Sequence, residues 1–262
     1  MITVLSPAKK LKAEVETSTL DITKPRLEGD TRDLAKVAKK QSAADLARLM
    51  KISDNLAELN VERFKSFDLD GRSNCATPAG LTFYGDVYWG LEAKSLGEET
   101  LTYAQDHLRI LSGLYGVLRP MDAIQPYRLE MGTKLANGRG KSLYDFWGSR
   151  IGEHLADDLE SHDDQTIVNL ASNEYFKAVD TAALPGTVIE ASFLNVKDGE
   201  ARRLMYHVKF ARGLMARWIM ENRIEKAGDL RGFDAEGYTL DASASSETHL
   251  VFTRLQPPVK TK

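Results

Sequence analysis

Apolar positions along the chain fall into two kinds of segment. Ile2–Leu5 is a short apolar run stopped by Ser6-Pro7 and predicts a buried first strand. Thr166–Leu170, Thr187–Leu194, Arg202–Val208, Gly237–Asp241 and His249–Leu255 also read as strands. Other segments carry helical spacing. Leu101, Ala104, Leu108 and Leu111 form one stripe over 99–112. Leu143, Phe146, Trp147, Ile151 and Leu155 do the same over 142–159, and Ala211, Leu214, Met215, Trp218 and Ile219 over 209–223. After a polar loop to about Asp30, residues 31–67 read as helical. Ser42 with Asp45 has the form of a capping box, and Ser53 and Asn60 are candidate caps for two further short helices.

Strands and helices do not alternate regularly, and neither an internal repeat nor a dividing linker is visible. The expectation is therefore α+β: a single domain over 1–262 with a mixed sheet surrounded by helices. Gln256–Lys262, with Pro257-Pro258 and two lysines, reads as a frayed tail. No apolar stretch approaches the ~18 residues of a membrane span. Met1–Pro7 lacks the basic and apolar regions of a signal peptide, so the expected location is cytoplasmic. Cys75 is the single cysteine and excludes an internal disulfide. With no His or Cys near it in sequence, it reads as a small loop residue rather than a peroxide-sensing thiol.

The net charge of −3 argues by itself against a nucleic-acid binder, but the charges are unevenly spread. Residues 107–150 carry seven Lys/Arg and three acids, and residues 200–231 carry eight Lys/Arg and four acids. Two basic segments in an otherwise acidic chain can build one basic face, or can be two solvated surfaces that never meet.

Several motifs are fragments of known chemistry. Ser6-Pro7-Ala8-Lys9 has the S-x-x-K form of acylating serines, but its companion S-D-N and K-T-G motifs are absent. A loop at a strand's end with a hydroxyl, backbone N–H groups and Lys9, Lys10 and Lys12 reads better as an anion or phosphate site, although exposed lysines with no ligand fit the spacing equally well. Gly140-Lys141-Ser142 ends like a P-loop, yet Leu135 stands where the first glycine is required. The five histidines are scattered and there is one cysteine, so no metal site is expected. In the 209–223 helix, Lys209, Arg212 and Arg223 lie within about 60° on a helical wheel, a ridge able to track phosphates. The stretch His107–Arg119 runs an apolar segment into Gly113-Leu114-Tyr115-Gly116, the form of a helix-hairpin-helix turn. In such a turn glycines let a DNA backbone approach exposed N–H groups. Arg109 and Arg119 flank it. Pro120 limits any following helix, and an ordinary glycine-rich helical turn fits the pattern equally well.

Taken together, LSPAK at 5–9, MKISDNLAELNVERF at 50–64, GDVYWGL at 85–91, HLRILSGLYGVLRPMDAIQPYRLEMG at 107–132, LYDFWG at 143–148, VNLASNEYFK at 168–177, ARGLMARWIMENR at 211–223 and GFDAEGY at 232–238 resemble the YaaA family along nearly the whole chain. The resemblance implies a cytoplasmic protein that protects against hydrogen peroxide by limiting iron-dependent oxidative damage. It also implies an unusual α+β fold with a helix-hairpin-helix element and a basic cleft that binds DNA, duplex or partly unpaired. It implies no catalytic residue, cofactor, metal or obligate protein partner. The matching positions expected to face the cleft are Ser6, Lys9, Arg109, Arg119, Arg128, Lys177 and Arg212, with Gly113 and Gly116 as the hairpin and Tyr115 or Trp89 available to stack on an unpaired base. The rival expectation is an enzyme acting on a small anionic or nucleotide-like substrate at the Ser6/Lys9 loop, with Arg128 and Lys177 contributing.

Overall fold

The computed structural model describes residues 1–12, 14–15, 21–70 and 76–257. Cys75 and most of the 256–262 tail lie outside the described residues. The main sheet has eight strands. They are β1 (Ile2–Leu5), β2 (Leu108–Ser112), β3 (Gly116–Leu118), β4 (Ile167–Leu170), β5 (Val188–Lys197), β6 (Glu200–Arg202), β7 (Thr239–Leu240) and β8 (His249–Leu255). Their spatial order is β7-β8-β5-β4-β1-β2-β3, with β6 paired to β5. The five central strands from β8 to β2 run parallel, and β7, β3 and β6 are antiparallel additions, so the sheet is mixed as expected. Strands from both ends of the chain share this one sheet. All four residues of β1 and of β4 are buried, as strands covered on both faces must be.

The helices that matter for the site are α1 (Glu28–Ala38), α2 (Ala43–Met50), α3 (Asp54–Ser66), α4 (Asp86–Leu91), α5 (Glu98–His107), α6 (Leu143–Trp147), α7 (Arg150–Leu159), α8 (Asn173–Phe176) and α9 (Met205–Glu221). None of the described helices is long and apolar enough to cross a membrane. The capping box at Ser42 and Asp45 forms: Asp45 N–H donates to Ser42 Oγ at 3.1 Å, and Ser42 N–H donates to Asp45 Oδ2 at 3.3 Å. Ser53 takes the position ahead of α3. Asn60 instead lies inside α3, fully buried, donating to the Leu56 carbonyl at 2.7 Å. The expected helix over 142–159 is two helices, broken where Gly148 adopts φ 51°.

Three further elements differ from the sequence reading. The expected strand over 202–208 gives way to α9, which begins at Met205. The expected helix over 99–112 ends at His107, and Leu108–Ser112 pairs with β1 through Thr3↔Leu108, Val4↔Arg109 and Leu5↔Ile110. The Gly113–Gly116 turn therefore closes a β-hairpin, β2–β3, and not a helix-hairpin-helix. Gly116 supplies the turn's φ of 72°, and a Cβ at Gly113 would lie 2.2 Å from the Leu129 carbonyl oxygen, so this turn is packed inside the protein. Among the described residues, a two-helix hairpin lies elsewhere. α2 and α3 are joined by Lys51-Ile52-Ser53, with Lys51 in the left-handed conformation at φ 53°.

Candidate functional site

In a parallel sheet, the strand whose neighbours are reached by connections leaving in opposite directions opens a crevice at its carboxyl end. β1 and β4 are adjacent and parallel. The chain leaves β1 toward β2 on one side and leaves β4 toward β5 on the other. Ser6 directly follows β1, and Ser172 stands two residues after β4, ahead of α8. Ser172 N–H donates to Ser6 Oγ at 2.8 Å, and the Ser6 hydroxyl donates to Ser172 Oγ at 3.3 Å. Tyr88 on α4 fixes the same loop, its hydroxyl donating to the Ser6 carbonyl at 3.1 Å.

A cavity of about 470 Å³ opens over this serine pair. Its wall carries four cations, Lys9, Lys10, Lys209 and Arg212, against two acids, Asp86 and Glu174. The acids are engaged. Asp86 lies 3.9 Å from Lys209, and Glu174 accepts from Gly132 N–H at 3.0 Å. Arg212 projects from α9, and its Nε is shielded from solvent with no hydrogen-bond partner. Burial lowers its pKa, the Arg203 charge adds to that effect, and Glu190 opposes it. A guanidinium with no carboxylate in ion-pair contact, in a cavity shared with two serine hydroxyls and three lysines, is suited to an anion.

Beyond the cavity, Lys9 Nζ lies 3.6 Å from Glu130, which also accepts from Arg128 at 2.8 Å. The Arg128 charge reaches Arg63 on α3: burial first, then Arg128, lowers the Arg63 pKa. Cations thus continue from the cavity through Lys9 as far as Arg128.

The expected site residues separate into two groups. Ser6, Lys9 and Arg212 meet at the cavity, and Arg128 adjoins it through Glu130. Lys177 is exposed and lies over the Tyr144 ring at 5.2 Å; it is not part of the cavity lining. Arg119 braces its own loop, donating to Asp122 and to the Lys24 carbonyl. Arg109 is 4% exposed and Tyr115 3%, and Gly113 and Gly116 are packed against the protein; Tyr115 borders a separate cavity beside Phe67 and Gln125, not the one over the serine pair. The cause is the β2–β3 hairpin, which turns this segment into the sheet. Ser172 and Tyr84, which also line the cavity, stand outside the expected set. The signal for Ser172 was present: VNLAS ends a buried run on a serine much as TVLS does. Among the described residues, no group of three or more His, Cys, Asp or Glu is placed to hold a metal ion.

The family described as peroxide stress protein YaaA matches residues 1–244. The chain belongs to the YaaA family. Relatives support this over the full length. A UPF0246 protein of Phenylobacterium zucineum is 51% identical over 258 residues, covering 98% of this chain and 96% of the relative. One of Maricaulis maris is 52% identical over 257 residues, covering 98% and 97%. One of Caulobacter vibrioides is 51% identical over 257 residues, covering 98% and 100%. In this YaaA-family chain the LSPAK, VNLASNEYFK and ARGLMARWIMENR segments, far apart in sequence, converge on the one cavity. A role in the peroxide stress response follows from the family.

Proposed function

We propose that this protein acts in the cytoplasm under peroxide stress by binding DNA through its phosphate backbone, and so helps limit iron-dependent oxidative damage. The observation that carries the reading is the unpaired Arg212 in a cavity bordered by Lys9, Lys10 and Lys209. Lys9 and Arg128 both reach Glu130, so basic side chains extend beyond the cavity as far as Arg128. Lys and Arg contacts to phosphate carry no base information, so little sequence preference is expected.

If roughly four to six phosphates are contacted, log K against log salt should have a slope of about −4 to −5. Arg212→Ala should lower that slope by about one unit and weaken binding alike on unrelated sequences. Fluorescence anisotropy with a labelled duplex over a salt series checks both. Binding that is indifferent to salt would sink the reading.

A second reading is favoured by the Ser6–Ser172 pair at the sheet's switch point, where small ligands of parallel sheets bind. There the protein is an enzyme or receptor for a small phosphate-bearing molecule held by the two hydroxyls and Arg212. Mononucleotides that raise the melting temperature and displace DNA competitively would favour it.

A further inference from the structure

Beside the cationic cavity lies an aromatic surface that the phosphate-binding reading does not use. Trp89 on α4 is 44% exposed, Tyr84 41% and Tyr206 51%. Their rings are contiguous: Tyr84 and Trp89 lie 5.6 Å apart at 76°, and Trp89 and Tyr206 6.4 Å apart at 54°. Neither pair is stacked in parallel, although Tyr206 also stacks on Phe210 of its own helix at 6.4 Å and 19°. Exposing three large aromatic rings side by side costs solvation that folding alone gives no reason to bear. None of the three makes a hydrogen bond that would explain its outward position. Tyr84 and Trp89 also line the cavity that holds Arg212 and Lys209, so rings and cations share one wall.

A basic track interleaved with exposed aromatic faces is the arrangement that binds single-stranded nucleic acid, because every base has a π-face while the backbone needs only charge. A duplex hides its bases in the stack and offers these rings nothing. We propose that Trp89, with Tyr84 and Tyr206, stacks the unpaired bases of single-stranded DNA whose phosphates run along Lys9, Lys209 and Arg212. This inference rests on the DNA-binding reading and adds the form of DNA it prefers. The charge of the wall selects the occupant: cations outnumber acids around the rings, as a polyanion requires.

The test uses the full chain, a labelled dT oligonucleotide of about 15 nucleotides, and a duplex of the same length. The parent should bind the single strand more tightly than the duplex, with quenching of tryptophan emission. The double variant Trp89→Ala with Tyr84→Ala should lose about 10- to 100-fold in single-strand affinity while duplex affinity holds within about twofold. Trp89→Phe should keep most of the affinity and abolish the quench, since Trp147 is fully buried and Trp218 packs edge-on against Phe233, outside the cavity lining. Thermal melts of each variant establish that it is folded; the exposure of both side chains makes that the expected result. If the folded double variant binds the single strand as the parent does, stacking is wrong while the phosphate-binding reading stands. If the parent binds neither form, both fall. If the double variant leaves DNA binding intact but dissolves a self-associated parent in sedimentation, the aromatic surface belongs to a second copy, and the inference is overturned.

Discussion

Arg109→Ala is expected to destabilise the protein by about 3 kcal/mol, the scale of breaking a buried ion pair. Arg109 is 4% exposed. Its Nε donates to Asp158 Oδ2 at 2.6 Å, and its Nη1 donates to the Gln105 and Leu108 carbonyls at 2.9 Å each. Alanine removes both of these bonds and leaves a void where the buried side chain was. Asp158 keeps Arg26, whose Nη2 donates to it at 2.6 Å, which places the loss at the lower end of the range. Lysine preserves the charge but not the fork, so Arg109→Lys should recover only part of the loss. The same contacts set an acid limb. Burial opposes ionisation of Asp158, and the hydrogen bonds from Arg26 and Arg109 overcome it, holding the carboxyl at about 2 against an ordinary 3.8. A depressed carboxylate contributes stability that is complete above its ordinary pKa and is lost as pH falls through the folded value. The parent should therefore lose stability between about pH 4 and pH 2, and Arg109→Ala should flatten that limb. Urea unfolding at several pH values reads both effects. A midpoint shift equivalent to less than about 1 kcal/mol at neutral pH would contradict this role.

Arg109 also shows where the sequence was legible and where it was not. An arginine in an apolar run reads as a surface charge, and its partner Asp158 lies 49 residues away with no local mark. The run itself is ambiguous. Leu108 and Leu111 fit a helical stripe, but a short buried strand has the same composition, and only pairing with β1, over 100 residues earlier, decides. β1, the Ser42 capping box and the body of α9 were legible because each is fixed by local pattern. The cavity was half legible. Ser6, Lys9 and Arg212 carry the chemistry an anion needs, but Ser172 joins Ser6 across 166 residues through strand order alone. The hairpin was placed on Gly113 and Gly116 because two glycines mark tight turns of any kind. The turn between α2 and α3 uses Lys51 in the left-handed region, a conformation its residue type does not advertise.

What holds the aromatic and cationic sides of the cavity together is a pair of glycines, and Gly213→Ala should disturb fold and binding at once. Gly90 on α4 and Gly213 on α9 sit where the two helix backbones touch. A Cβ at Gly213 would lie 1.7 Å from the Val87 carbonyl oxygen and 2.7 Å from the Leu91 nitrogen, and one at Gly90 would lie 2.1 Å from the Phe210 carbonyl oxygen. These are backbone atoms and cannot swing aside, so the helices must separate. In a free helix, glycine to alanine gains about 1 kcal/mol. Overpacking against an unyielding neighbour costs about 1–3 kcal/mol, occasionally more. The contact at Gly213 is far inside any tolerable distance, so the cost should win, for a net loss of about 2 kcal/mol. The sign alone discriminates: a variant with a raised melting temperature would mean the helices do not meet this closely. α4 carries Trp89, and α9 carries Tyr206, Lys209 and Arg212. Forcing them apart should therefore also weaken DNA binding in the fraction that remains folded, although no altered atom reaches the DNA. Gly29→Ala, inside α1 with open space around it, is the matched control: it should lose no stability and leave binding near that of the parent.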